Sequence, residues 1–151
     1  MGKLKRRRLV FEDFAQVRTE IARLETAGYT RTGNWSLGQI CDHLAKSFKG
    51  MVDGFDFEAP WPMRMAARIA MPLIFWIKWV PSGAKIPKSY EPATDVSDET
   101  GVIRFTQAFD RLEKHSQPLA KHPFMGSITP EQWRKVQLIH CAHHLGFLVP
   151  K

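Results

Sequence analysis

The stretch NWSLGQICDHLAKSF, residues 34–48, contains a complete signature for the start of a helix. Ser36 can accept a hydrogen bond from the first turn, and Gln39 can return one to the Ser36 backbone. Trp35 can pack against Ile40 on the outer side of the same turn. Apolar side chains then recur three and four residues apart, which is typical of an amphipathic helix. We therefore predict that the second helix of the fold begins here.

Three other segments show the same helical spacing. The first helix runs through residues 14–24 and ends before Gly28, and the third runs through residues 102–112. The fourth repeats the capping signature, with Thr129 as the cap and Gln132 three residues later. The sequence shows no βαβ alternation, no glycine-rich phosphate loop and no clear strand periodicity. We therefore predict an all-α fold, an antiparallel helical bundle with little strand.

Residues 61–83, WPMRMAARIAMPLIFWIKWVPSG, interrupt this pattern between the second and third helices. The segment is apolar and aromatic, but basic residues and prolines break any run near the ~20 apolar residues that cross a bilayer. The favoured interpretation is a helical insertion covering residues 61–90, with a pair of short helices lying over the bundle. A dimer contact, a lid over a pocket and an interfacial membrane helix are the alternatives.

The basic charge is concentrated near the first residues of the sequence. The net charge is +7, yet residues 3–8 hold five of the 22 lysines and arginines, which leaves 17 basic against 15 acidic side chains elsewhere. We interpret residues 1–8 as a basic, solvated tail, because affinity for nucleic acid grows with the number of phosphates that a protein neutralises. Nucleic acid is therefore not expected as a partner.

The length and the cysteines favour one domain in a reducing compartment. The 151 residues fit a single domain, residues 1–151, with one core. The basic start leads into a mixed helical pattern instead of the apolar core of a signal peptide. Cys41 and Cys141 have no CxxC partner, so we expect two small buried thiols and a cytoplasmic location.

The fourth helix places titratable rings on its apolar side. His140 and His144 are one turn apart and point the same way, among the neighbouring positions of Trp133, Val136 and Phe147. Two unpaired imidazoles buried there would lose hydrogen bonds to water, at a cost of about 1–3 kcal/mol each. A divalent cation removes this cost, and the H-x3-H spacing is the helical half of many zinc sites.

A third ligand is expected from another helix. His43 is the best candidate, because it lies at the margin of the apolar stripe of the second helix, where a side chain can face a neighbouring helix. Three other histidines are weaker candidates. His143 points to another side of the fourth helix, His115 follows the third helix, and His122 belongs to the loop before the fourth helix.

Three blocks of the sequence resemble the DinB-like (YfiT-like) superfamily of metal-binding four-helix bundles. They are WSLGQICDHLA at 35–45, HPFMG at 122–126 and WRKVQLIHCAHHLGFL at 133–148. With RRRLVF at 6–11, the chain looks like an uncharacterised bacterial branch of that superfamily. The resemblance spans essentially the whole chain.

The resemblance implies an up-down-down-up bundle with one long crossover, and frequent homodimers. It also implies that a metal is held by His43 from the second helix and by His140 and His144 from the fourth. These are the same three residues that the helical positions favour. The insertion at residues 61–90 departs from the simplest members of the superfamily.

The donor set predicts a catalytic metal, because three imidazoles leave at least one position of the ion free for water or substrate. Zinc and nickel both suit nitrogen ligands. The leading hypothesis is a metal-dependent transferase or hydrolase that activates water or a low-molecular-weight thiol on a small-molecule substrate. His122 and His143 are candidates for the catalytic base. Gln39 and Gln137 are candidates for orienting the ligands, but the favoured interpretation of both is a partly exposed helix residue.

The alternative hypothesis is a non-catalytic binding module. Here the metal only stabilises the bundle, and the aromatic, cationic segment 61–80 docks on a membrane surface or a protein partner.

Overall fold

The computed structural model describes residues 5–151 and is predominantly helical. Within these residues the helices are α1 Phe14–Ala27, α2 Leu37–Asp53, α3 Trp61–Ile77, α4 Asp98–Glu113 and α5 Pro130–Leu145. Two short strands, β1 Tyr29–Arg31 and β2 Leu148–Pro150, form an antiparallel pair. A 3-10 turn occupies Lys88–Tyr90. The predicted all-α class and the small strand content are confirmed.

Both predicted capping boxes are present, and they set where α2 and α5 begin. Ser36 Oγ accepts from the Gln39 backbone, while Gln39 Oε1 accepts from the Ser36 backbone at 3.0 Å. Thr129 and Gln132 make the same reciprocal pair at the start of α5. The two helices that carry the candidate ligands therefore start at residues fixed by local hydrogen bonds.

The start of α2 is also tied to the start of α4. Gly38 and Gly101 bring the two helix backbones together, and a Cβ on Gly101 would overlap the Gly38 backbone. Asp98 Oδ1 accepts from the Gly38 backbone at 2.8 Å, and Tyr29 donates its hydroxyl to Asp98 Oδ2 at 2.8 Å. This contact orients α2 relative to α4. The core beside it includes Val17, Leu24, Leu37, Leu44, Phe48, Phe105, Trp133 and Leu145.

The segment between α2 and α4 differs from the prediction. Residues Trp61–Ile77 form one continuous helix with Pro72 inside it, and not a pair of short helices. None of the residues of α3 is buried. The side chains of Trp61, Ile69 and Trp76 are 69%, 76% and 82% exposed. The apolar side of α3 therefore faces away from the core, and periodicity alone does not show this.

No described helix combines the length and the sustained apolarity that crossing a membrane requires.

The predicted basic tail is only partly solvated. Residues 1–4 of it lie outside the described residues. Arg7 pairs with the buried carboxylate of Glu20 at 2.5 Å and donates from Nε to the Leu148 carbonyl at 2.7 Å. The Arg6 guanidinium lies over the Phe147 ring, 5.0 Å from its centroid. The solvated-tail interpretation is therefore wrong for these two arginines, because they form part of the packing around β2.

Candidate metal centre

His43, His140 and His144 converge between α2 and α5. One ring nitrogen from each histidine lies within 4.8 Å of the corresponding nitrogens of the other two. His140 Nε2 is 3.0 Å from His43 Nε2 and 3.1 Å from His144 Nε2. The three residues that the sequence selects are thus positioned to bind one metal ion.

The tautomer of His43 is set by the 3-10 turn. His43 is 4% exposed, and its Nδ1 lies 2.7 Å from the Tyr90 carbonyl oxygen. Since a carbonyl oxygen can only accept, Nδ1 carries the hydrogen. Nε2 of the neutral ring is therefore unprotonated and directs its lone pair at the other two histidines.

The tautomer of His140 is set by Gln137, one turn earlier on α5. The Gln137 amide nitrogen donates to Ser47 Oγ at 2.8 Å, which leaves Oε1 to face His140 Nδ1 at 3.3 Å. Because Oε1 accepts, His140 Nδ1 donates and Nε2 is again the unprotonated nitrogen. Gln137 is 1% exposed and contacts His140, so the favoured interpretation of a partly exposed helix residue is wrong at this position.

The two tautomers leave lone pairs facing each other. His43 Nε2 and His140 Nε2 are 3.0 Å apart, which is hydrogen-bond distance without a hydrogen to share. His144 adds a third imidazole, whose ring stacks on Trp35 with the centroids 5.4 Å apart. A cation between the nitrogens satisfies all three, and imidazole is a preferred ligand of zinc and nickel. The donor set therefore fits a divalent metal ion.

Burial makes protonation a poor substitute for that cation. Burial is the main cause that lowers the pKa of His43, and the hydrogen bond with the Tyr90 backbone offsets this lowering only in part. The pKa values of His140 and His144 lie well below the ordinary value, first because of burial and then because of the neighbouring imidazoles. These rings are therefore neutral near pH 7, as metal ligation requires.

A cavity of about 1100 Å³ opens beside the three imidazoles. Its aromatic lining includes Trp35, Phe55, Phe57, Tyr90, Phe124 and Phe147. Apart from histidines, the charged side chains among its described lining residues are Lys85 and Glu91. The arrangement has the usual form of a small-molecule site, which is an apolar cleft with a few polar groups at fixed positions.

A family model for a protein of unknown function, DUF1569, matches residues 3–151 of the chain. The chain belongs to this family. No curated protein and no solved structure matches it. Because the DUF1569 description assigns no activity, the function has to be inferred from the geometry of the site.

In this DUF1569 protein both candidate catalytic histidines line the cavity. His143 packs edge-on against His144, with the ring centroids 4.7 Å apart. Its Nδ1 is buried without a hydrogen-bond partner among residues 5–151. Burial, followed by the positive charge of Arg6, lowers the pKa of His143 to about 4. The Val80 backbone opposes this lowering only in part, so His143 is neutral near pH 7.

His122 occupies the tight loop before α5. Its Nδ1 accepts hydrogen bonds from the backbone N–H groups of Phe124 and Met125, at 3.1 and 3.0 Å. Burial lowers the pKa of His122 to about 4. His122 is thus also neutral near pH 7, and its Nδ1 is already occupied.

Two weaker expectations from the sequence are resolved by the structure. Gln39 does not orient His43, because its side chain closes the capping box of α2 and reaches the Ala93 carbonyl. The group that orients His43 is the Tyr90 carbonyl, for which the sequence carries no signal because every residue has one. His115 lies outside the three-histidine group.

Proposed function

We propose that this DUF1569 protein is a divalent-metal-dependent enzyme whose zinc or nickel ion is held by His43, His140 and His144. The main support is the pair of unprotonated Nε2 atoms, 3.0 Å apart and fixed by Tyr90 and Gln137. Burying two lone pairs against each other is unfavourable unless a cation lies between them.

The reaction class follows from the donor set and the cavity. A bound ion of this kind supplies Lewis acidity, which lowers the pKa of a water or thiol ligand. Three protein ligands leave a position for that ligand, and the cavity beside it has mainly apolar and aromatic walls. We propose a transferase or hydrolase that acts on a small molecule, with a low-molecular-weight thiol as one candidate co-substrate.

His143 supports this proposal as the acid–base group. It lines the cavity beside His144 and is neutral near pH 7. A neutral imidazole within reach of the substrate can accept a proton from the attacking group and return it to the leaving group.

We also propose that the chain is a member of the DinB-like superfamily, with up-down-down-up topology and a homodimeric assembly. The packing of α2 along α4, and the contacts of α5 with α1 and α2, support the bundle. A four-helix bundle also places metal ligands on facing helices, as α2 and α5 do in this chain.

Metal titration tests the ligand assignment. Zn²⁺ and Ni²⁺ are added to chelator-treated protein in a calorimeter, for wild type, His43→Ala and His140→Ala. We expect one ion per chain in wild type and loss of that site in both variants. His115→Ala is the matched control, because this histidine lies outside the group. Unchanged binding in His140→Ala would remove the proposed centre.

Turnover tests the enzymatic part separately. The wild type is assayed for hydrolysis of 4-nitrophenyl acetate and for transfer of glutathione to 1-chloro-2,4-dinitrobenzene, with and without the ion. Metal-dependent turnover that is absent in His140→Ala supports the proposal. Metal binding without either reaction would restrict the centre to a structural role under these conditions and favour the binding-module hypothesis.

The exposed side of α3 supports a second candidate function, binding to an anionic membrane surface. Trp61, Met65, Ile69, Leu73 and Trp76 form an apolar stripe along this side, and each is at least half exposed. Residues 61–90 contain five basic and no acidic side chains. An apolar helix face with nearby positive charge is typical of helices that lie in the interface of anionic bilayers.

Vesicle binding tests this candidate. Wild type is expected to co-sediment with vesicles of phosphatidylglycerol and phosphatidylcholine, and Ile69→Ser with Trp76→Ser is expected to release it. Ile103→Ser on α4 is the control, since Ile103 is also exposed but lies outside the stripe. Absence of co-sedimentation, with self-association that the double variant abolishes, would assign the stripe to a second copy and overturn the membrane proposal.

A further inference from the structure

His122 is held in one tautomer by its own loop. Two backbone N–H groups, those of Phe124 and Met125, point at its Nδ1 from 3.1 and 3.0 Å. An N–H can only donate, so Nδ1 is the acceptor and the hydrogen of the neutral ring lies on Nε2. The loop therefore presents an N–H donor, and this excludes the base role for His122 that the sequence suggests.

The ring is also fixed in position. His122 pairs through its backbone with Gly126, in both directions at 2.8 Å, and Gly126 takes the left-handed conformation that this turn needs. The ring packs on Trp133, with the centroids 4.8 Å apart, and the Trp133 indole is held by the Ala120 carbonyl. Arg68 of α3 donates a hydrogen bond to the Met125 carbonyl of the same loop at 2.8 Å.

The free nitrogen of His122 is available to a ligand. His122 lines the same cavity as the three-histidine group, and its charge is near enough to influence the pKa of His140, after burial and the closer imidazoles. Nε2 makes no hydrogen bond with the described residues. It is also not one of the unpartnered polar atoms that are fully buried, so it is accessible to solvent. A donor fixed in this way is preorganised for an oxygen that enters the cavity.

We infer that His122 donates a hydrogen bond from Nε2 to a carbonyl or carboxylate oxygen of the substrate, and that the rest of the substrate is an uncharged aromatic body. This inference rests on the proposed function, because it names the substrate class of that same cavity. The aromatic body follows from the lining. Phe124 lies beside His122, Phe57 packs on Phe124, and Phe55 lines the same cavity.

A matched pair of probes isolates the oxygen. 2-Acetylnaphthalene and 2-isopropenylnaphthalene have the same shape, but only the first carries a hydrogen-bond acceptor. We expect wild type to bind the acetyl compound about three- to tenfold more tightly, the range of one ordinary hydrogen bond. Equal affinity for the two probes, or no binding of either, would overturn the inference.

The His122→Asn variant separates the donor from the fold. The asparagine Oδ1 can replace Nδ1 as acceptor for the loop, but its amide is too short to reach the position of Nε2. The preference for the acetyl probe should therefore disappear in His122→Asn while its melting temperature stays near that of wild type. A preference that persists in this variant would refute the donor role.

Two further measurements keep the inference independent of catalysis. Nitrogen-15 NMR of the wild-type imidazole should show an unprotonated Nδ1 and a protonated Nε2 whose signal shifts with the acetyl probe only. Zinc titration of the same samples reports on the metal centre. Normal zinc binding without probe preference rejects this inference alone, and probe preference without zinc binding rejects the proposed metal function alone.

Discussion

Gln137 connects His140 on its own helix to Ser47 on α2. Its amide nitrogen donates to Ser47 Oγ at 2.8 Å while its oxygen faces His140 Nδ1 at 3.3 Å. Gln137 is 1% exposed, so water does not compete for these bonds. The buried amide of Gln137 thus determines which nitrogen of His140 is free for a metal ion, although Gln137 is not one of the three candidate ligands.

Replacing Gln137 with leucine should weaken zinc binding without removing it. The leucine fills the buried space but leaves His140 free to take either tautomer, and loss of such a supporting contact typically costs 10–100-fold in affinity. Calorimetric titration of Gln137→Leu measures the change. Gln107→Leu on the exposed side of α4 should titrate like wild type, and an unchanged affinity in Gln137→Leu would contradict the role assigned to the amide.

Removal of metal should destabilise the protein by an amount that depends on zinc concentration. At a free zinc concentration one hundred times Kd, binding adds about 2.7 kcal/mol to the free energy of unfolding. Urea unfolding with zinc and with a chelator measures the difference. The His140→Ala variant should show no zinc dependence, so a similar gain in that variant would point to ions bound elsewhere.

Enlarging Gly101 should disturb the packing of α2 on α4. A Cβ at this position overlaps the Gly38 backbone, which cannot yield as a flexible side chain does. We expect Gly101→Ala to lower the free energy of unfolding by roughly 1–3 kcal/mol or more. Thermal and urea unfolding give the value, with the exposed neighbour Glu99→Ala as the control. Wild-type stability in Gly101→Ala would show that the helices can separate freely.

The buried ring of His122 should make stability fall with acid. Its pKa is about 4 in the folded protein, against an ordinary value of 6.5, because burial disfavours the charged form. Between these values the unfolded chain binds the proton more readily. The free energy of unfolding is therefore intact above pH 6.5, decreases as the pH falls to about 4, and loses ~3 kcal/mol from this group.

The His122→Asn variant isolates that contribution. The other buried histidines also lower the free energy of unfolding as the pH falls. The informative quantity is therefore the difference in this free energy between wild type and His122→Asn. Urea unfolding between pH 7 and pH 4 should give a less steep loss of stability in His122→Asn. Parallel curves for the two proteins would show that the His122 ring is not protected from protonation.

Much of the candidate site could be predicted because its signals are local. The capping boxes at Ser36 and Thr129 lie within four residues, and they alone place the starts of α2 and α5. The one-turn spacing of His140 and His144 fixes their common direction. Once two helices and the direction of their side chains are known, few positions remain for a third ligand, and His43 is one of them.

The remaining features depend on contacts between distant residues. The Tyr90 carbonyl reaches His43 across 47 positions, and Asp98 reaches Gly38 across 60. Neither contact leaves a pattern in a single sequence. Between α2 and α4 the favoured prediction is a pair of short helices, whereas the structure has one helix. Its apolar stripe faces outward, which a periodic pattern does not reveal because such a stripe usually faces the core.

Arg68 reaches from α3, the helix with the outward stripe, to the loop that holds His122. Suppose that binding to a bilayer displaces α3, and that a ligand accepts the hydrogen bond from His122 Nε2. By thermodynamic linkage, the bilayer would then change the protein's affinity for the ligand, and the ligand would change its affinity for the bilayer, by the same factor. One guanidinium would then couple the proposed membrane contact of α3 to the proposed substrate contact of His122.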